Sequence, residues 1–182
     1  MPGLRAKMDK LLIIGSTAVQ PQPKGREETD DPKRLEHPMK WITREKPKTD
    51  RVACPWLIRK FIDPDAEILY VPDDRVLEVA RREGAVSFDA PGARYGHRKG
   101  KCTFEVLIEE YHLTDPALLK LAEIVHGADV QDERSTPQSA GLRAIGEGFI
   151  HVVPDDHENL RIQSCIYDAL YAWCRARSSG RD

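Results

Sequence analysis

Histidine and carboxylate residues recur at helical spacing through this 182-residue chain. His126 and Asp129 lie three apart near the end of a helical pattern, so they share a face. Glu105 and Glu109 are four apart and share a face in the same way. Together with His97, the residues Glu105, His126 and Asp129 make a set that a helical layer can bring to one divalent ion, as paired Glu and Glu-x-x-His motifs do in bundles. Mixed imidazole and carboxylate donors suit Mn, Fe or Zn rather than a thiolate site. Asp155, Asp156 and His157 gather at the start of the last helical stretch and could join them. A simpler role competes for each residue taken alone: an aspartate capping a helix start, or His126 facing a helix end, both favourable to the helix dipole.

A second chemistry is anion binding. Gly96-His97-Arg98-Lys99-Gly100-Lys101-Cys102 is basic, bracketed by glycines, and runs into a helix with Thr103 as the expected N-cap. Free amides at a helix start make an oxyanion cradle, and Arg98, Lys99 and Lys101, with Arg51, would add charge-assisted hydrogen bonds. The competing reading is a solvated hairpin-like turn.

The four cysteines divide. Cys54 precedes an expected helix start and stands near Arg51, two factors that lower a thiol pKa, so it is a redox candidate against the alternative of burial beside Trp56. Cys102 borders the basic loop and is the second redox candidate. Cys165 and Cys174 keep apolar company on the last helix and read as core. Tyr167, Leu170, Tyr171 and Cys174 follow a packing stripe. His112 and His151 have no partners in the sequence and read as surface or boundary residues.

These residues need a scaffold. Lys40 to Arg44 alternates like a short strand, and a helix is expected from Pro55 to Ile62, ended by Asp63-Pro64. Glu67 to Val71 reads as a strand, followed by a helix capped by Asp73 or Asp74 and stopped by Gly84. Ala85 to Phe88 makes a third strand. Four helices follow: Phe104 to Tyr111, Asp115 to Ala128, Thr136 to Phe149 and Asp155 to Arg177. The fold class is α/β: a small N-terminal β-α-β-α-β unit followed by a four-helix C-terminal half, packed as one domain.

Composition narrows the class further. Hydrophobic content of 40%, charged content of 32% and a formal charge of -2 describe an ordinary globular chain with no bias toward nucleic acid or membrane. No apolar run approaches the ~18 residues of a membrane span. Without a C-x-x-C pair or a cysteine-dense framework, reduced thiols in a cytoplasmic protein are the default. Residues 1–38 read as disordered or as an extension of the gene model beginning before Met39, with only a weak imitation of a signal peptide around Leu11-Leu12-Ile13-Ile14. The domain is expected over 39–177 and a flexible tail over 178–182. No nucleotide cofactor is expected, because Gly-x-Gly-x-x-Gly, P-loop and Gly-x-Ser-x-Gly motifs are all missing.

Four stretches in order carry a resemblance. They are Asp50-Arg51-Val52-Ala53-Cys54-Pro55-Trp56-Leu57-Ile58-Arg59-Lys60-Phe61-Ile62-Asp63-Pro64, the loop from Gly96 to Cys102, His126-Gly127-Ala128-Asp129, and Tyr167-Asp168-Ala169-Leu170-Tyr171-Ala172-Trp173-Cys174-Arg175. In this order they resemble the C-terminal domain of the chromate-resistance protein ChrB family, across residues 40 to 175. The resemblance implies a bacterial stress-response role beside chromate transporters, in proteins that act as chromate-responsive regulators. Those proteins carry an N-terminal region thought to contact DNA. Residues 1–38 are too short and polar for it, so nucleic-acid binding is not expected here.

Two functions follow. One is a domain that binds an oxyanion such as chromate or sulfate, a divalent metal, or both, in sensing or detoxification. The other is a metal-dependent redox or detoxification enzyme with an open position on a His/carboxylate site beside Cys54 or Cys102. The metal, the physiological ligand and a homodimeric state are left open.

Overall fold

The computed structural model describes residues 39–130 and 132–179. The expectations for residues 1–38 and for 180–182 lie outside the described residues. Three short strands form one parallel sheet in the order β2-β1-β3: β1 Lys40–Arg44, β2 Glu67–Val71 and β3 Val86–Ser87. β1 pairs with β2 from Lys40↔Glu67 to Arg44↔Val71, and with β3 at Trp41↔Val86 and Ile42↔Ser87.

Successive side chains of a strand point to opposite faces, and a central parallel strand is buried on both. Trp41 enters the large core with Val52, Ala53, Cys54 and Trp56 of α1 (Thr49–Leu57). Ile42 enters a smaller core with Val76, Val79 and Ala80 of α2 (Val76–Glu83). The chain leaves β1 for one edge and crosses back for the other, so right-handed crossovers lay α1 and α2 on opposite faces.

Four further helices back the α1 side: α3 Thr103–Glu110, α4 Pro116–Asp129, α5 Ser139–Val152 and α6 Asp156–Ser178. α4 packs against α5 and α6, and α6 lies along α1. Two hydrogen bonds fasten that last contact: Trp56 Nε1 donates to Asp168 Oδ1 at 3.0 Å and Tyr167 Oη donates to the Thr49 carbonyl at 3.0 Å. The β-α-β-α-β unit followed by four helices is therefore the architecture. Among the described residues no helix is long and apolar enough to cross a membrane.

Three local expectations are corrected. The first helix starts at Thr49, and Pro55 stands inside it rather than at its start. Beyond Leu57 the helix widens into a π turn over Ile58–Ile62, closed by Asp63 N–H donating to the Ile58 carbonyl at 2.8 Å. Asp73 and Asp74 do not cap α2: they form a 3₁₀ turn with Arg75 ahead of it. Gly84 does end α2, in the left-handed conformation at φ 64°. β3 is two residues long; Phe88 beyond it still donates its N–H to the Ile42 carbonyl at 3.0 Å and bridges Tyr95.

Candidate functional site

In open parallel sheets, ligands sit beyond the carboxyl ends of the strands, where the strand order reverses. The order β2-β1-β3 reverses at β1, and a cavity of about 250 Å³ opens at that place. Arg44 reaches it from the last position of β1, and Asp89 from just past β3. Asp50 and Arg51 come from the first turn of α1, Asp129 from the last residue of α4, and Arg143 from α5. His97, from the irregular segment between β3 and α3, closes the group.

The imidazole of His97 is ringed by carboxylates. Its Nε2 lies 3.1 Å from Asp129 Oδ2, 3.3 Å from Asp50 Oδ2 and 3.5 Å from Asp89 Oδ1. The hydrogen bonds to Asp129 and Asp50 push the His97 pKa up to about 10. Asp50 is the most enclosed of the three, 1% exposed, and burial pushes its pKa up to about 6 despite the pull of His97. Asp50 Oδ2 accepts the Thr103 N–H at 2.6 Å, whereas Oδ1 is buried with no hydrogen-bond partner. A buried carboxylate oxygen without a donor is costly and calls for a cation or a proton.

Asp89 is held firmly. Its backbone sits at φ 44°, a left-handed conformation that Asp tolerates better than most residues. Arg44 Nε donates to its carbonyl at 2.8 Å and Arg44 Nη2 to its Oδ2 at 3.2 Å. Thr103 Oγ1 donates to Asp89 Oδ1 at 3.1 Å. This backbone outlier is therefore fixed by three separate contacts, as strain at ligand sites commonly is.

A second cluster gathers around Cys102 and Glu105 at the α3 start. His126, 1% exposed, places Nδ1 2.6 Å from Glu105 Oε2 and Nε2 2.9 Å from Asp132 Oδ2. The hydrogen bond with His126 pulls the Asp132 carboxyl down to about 2. Cys102 completes the group, its sulfur within 4.8 Å of the Glu105 and His126 ligand atoms. Arg134 stands over this cluster, 3.7 Å from Glu105 Oε1 and 3.1 Å from Asp132 Oδ2, so a cation already occupies its mouth.

The four residues expected to share one ion are thus divided. His97 and Asp129 belong to the pocket; Glu105 and His126 belong to the second cluster. His126 and Asp129, though three apart on α4, meet different partners: Asp129 meets His97, and His126 meets Glu105 and Asp132. Asp155, Asp156 and His157 join neither group. Asp155 caps α6 by accepting the Glu158 N–H, Asp156 accepts the Lys46 N–H, and the His157 ring packs against Tyr70.

The basic loop does not make the expected cradle. Arg98 and Lys101 exchange both backbone hydrogen bonds across Lys99 and Gly100, which sit at φ 51° and 71°. Two successive positive φ values mark a tight hairpin turn. Arg98 pairs with Glu110, and Lys101 with Glu109 at 3.1 Å. The helix amides are taken as well: Cys102 N–H donates to Glu105 Oε2 at 2.9 Å and Thr103 N–H to Asp50. Cys102, not Thr103, is the N-cap. Of the expected anion ligands, Arg51 alone lines the pocket.

Neither redox candidate is an activated thiol. Cys54 is the sixth residue of α1, fully buried, and burial pushes its pKa well up. Cys102 is buried and shifted upward for the same reason. Cys174 lies in the core as expected, but Cys165 is exposed, because it stands two residues from Tyr167 and so faces away from the packed stripe. His112 and His151 are exposed.

The residues that sequence reasoning missed are Asp50, Asp89, Arg44, Lys48, Arg143 and Asp132. Position in an Asp-Ala-Pro-Gly turn was the one signal for Asp89. No signal marked Arg143, whose guanidinium is placed by donating to the Ala128 carbonyl at 2.8 Å and the Gly127 carbonyl at 3.0 Å.

Comparison with known proteins places this arrangement in a family. The family model described as "ChrB, C-terminal domain" matches residues 41–174, a span that contains both clusters. Protein ChrB of Cupriavidus metallidurans is 36% identical over 134 residues, covering 72% of this chain and 39% of the relative. The chain thus spans about two fifths of the length of that curated relative. No solved structure matches. The chain belongs to the family of C-terminal domains of the chromate-resistance protein ChrB.

Proposed function

We propose that this domain binds a divalent metal ion through Asp50, Asp89, His97 and Asp129, and that the loaded pocket is its working part in chromate sensing or detoxification. The observation that carries the reading is the approach of three carboxylate oxygens to within 3.5 Å of His97 Nε2. A cation placed among them would take the position now served by the His97 proton and would neutralise the buried Asp50 carboxylate, whose Oδ1 has no donor. Three carboxylates with one imidazole favour Mn²⁺ or Fe²⁺ over a thiolate-seeking ion.

Binding without turnover fits the site better than redox catalysis does. Electron donation by a thiol needs thiolate, and both nearby cysteines are buried with pKa values pushed upward. The enzyme reading keeps one supporting feature: the cavity stays open beside His97, which is 46% exposed, so a bound metal would retain room for an exchangeable ligand.

The test is calorimetric titration of the full chain with manganese chloride, followed by zinc and ferrous salts. One site is expected. Asp129→Ala should weaken it by more than about tenfold, the scale seen even for residues that only support a metal ligand. Glu105→Ala, in the other cluster, should leave the affinity unchanged. Absence of binding by all three metals overturns the proposal.

A further inference from the structure

We propose that the pocket takes its metal and a tetrahedral dianion as a coupled pair, each raising the affinity for the other. The inference rests on the metal reading above and adds to it a second ligand, its seat and a thermodynamic linkage.

The charges on the wall carry the argument. Asp50, Asp89, Asp129 and Glu147 line the cavity together with Arg44, Lys48, Arg51 and Arg143. With His97 neutral, as metal ligation requires, these carboxylates and cations cancel. A divalent ion alone would leave the chamber with two excess positive charges. A dianion alone would leave two excess negative ones. The two together restore neutrality, so neither is accommodated as well alone as with its counterpart.

The cations are also not all spent on the carboxylates. Arg44 is committed to Asp89. Arg143 is held by the carbonyls at the end of α4 and makes no ion pair among the described residues, which leaves its guanidinium without a direct carboxylate partner at the cavity. Lys48 is exposed on the rim, likewise without an ion pair among them. The Arg51 side chain is 15% exposed, its Nε is buried with no acceptor, and its nearest carboxylate is 3.8 Å away at Asp89. Two residues of one chamber wall, Arg51 and Asp50, therefore each keep a buried polar atom without a partner, a donor on the first and an acceptor on the second. Arginine is the cation best suited to paired hydrogen bonds with tetrahedral oxygens.

The probe pair is manganese chloride with sodium sulfate, because sulfate is a tetrahedral dianion that does not oxidise thiols. Manganese affinity of the full chain is measured in sulfate and in chloride at matched ionic strength, and sulfate affinity is measured with and without manganese. Sulfate should tighten manganese about tenfold, within the usual range of coupling between sites, and by linkage manganese must tighten sulfate by the same factor. Arg143→Ala and, separately, Lys48→Glu should each reduce the sulfate effect while manganese in chloride still binds. Lys48 is exposed, so that variant keeps the test valid if Arg143→Ala fails to fold. Equal manganese affinity in both salts overturns the coupling and leaves the metal site standing. No manganese binding in either salt overturns the metal site and the coupling with it.

Discussion

The hydroxyl of Tyr70 donates a 3.0 Å hydrogen bond to the carbonyl of Arg51, the oxygen that Pro55 cannot serve. A helix normally satisfies that carbonyl from the amide four residues on, and proline has none to give. Tyr70 lies on β2, so one side chain of the sheet repairs the helix at the turn that presents Asp50 and Arg51 to the pocket.

Tyr70→Phe should lower the stability of the domain by about 1 kcal/mol, the usual net worth of such a bond. In a Pro55→Ala background the new amide can take over the Arg51 carbonyl, and the Tyr70→Phe penalty should shrink toward zero. Urea unfolding of the four proteins in this cycle measures the coupling. An unchanged penalty in the Pro55→Ala background would show that Tyr70 acts through its packing and not through the repaired carbonyl.

The thiols should separate by reactivity. Cys165 is exposed, whereas Cys54, Cys102 and Cys174 are buried, and burial pushes the pKa of all three upward. Raised folded-state pKa values keep these groups protonated through neutral pH, so they gain little reactivity as the solution is made mildly alkaline. A thiol-exchange reagent near pH 8 should titrate one group rapidly in the native chain and all four in denaturant. Two rapid groups in the native chain would mean that a core cysteine is in fact accessible.

Two glycines should respond with opposite sign to the same substitution. A methyl group on Gly127 would stand 2.5 Å from Ser135 Cα, and 2.6 Å from Ser139 Oγ. Gly127→Ala should therefore cost about 1–3 kcal/mol, as overpacking does, and should loosen the 132–139 segment that carries Asp132 to His126. Gly148 meets nothing within 4 Å inside α5, so Gly148→Ala should stabilise by roughly 0.5–1 kcal/mol through helix propensity. Thermal unfolding of both variants checks the pair.

Periodicity made the helices and strands legible, because Trp41, Ile42 and the stripe on α6 follow the spacing that burial imposes. The start of α1 was not legible. Pro55 stands inside the helix, and the compensation by Tyr70 that allows it is a tertiary event. At the site, the shared helix end of His126 and Asp129 could be read from their spacing. Their separation into two clusters could not, since it depends on where the fold brings His97 and Glu105. Asp50 was hidden for the same reason: its work is to accept the Thr103 amide, 53 residues away in the chain. The basic loop misled because its positive charge is answered by Glu109 and Glu110, whose facing side only the fold reveals.

β1 occupies the middle of the sheet although it precedes both of its neighbours in the chain. Its two hydrogen-bonding edges are completed only by residues 67–71 and 86–87. During synthesis Trp41, Ile42 and Thr43 therefore emerge with both edges open, and wait for one crossover before β2 can pair and for a second before β3 covers the other edge. Non-local parallel pairing of this kind is slow, and an apolar strand with bare edges invites another chain. The nascent protein is thus most exposed to self-association while the ribosome is still delivering β2 and α2, well before the residues of the pocket have met.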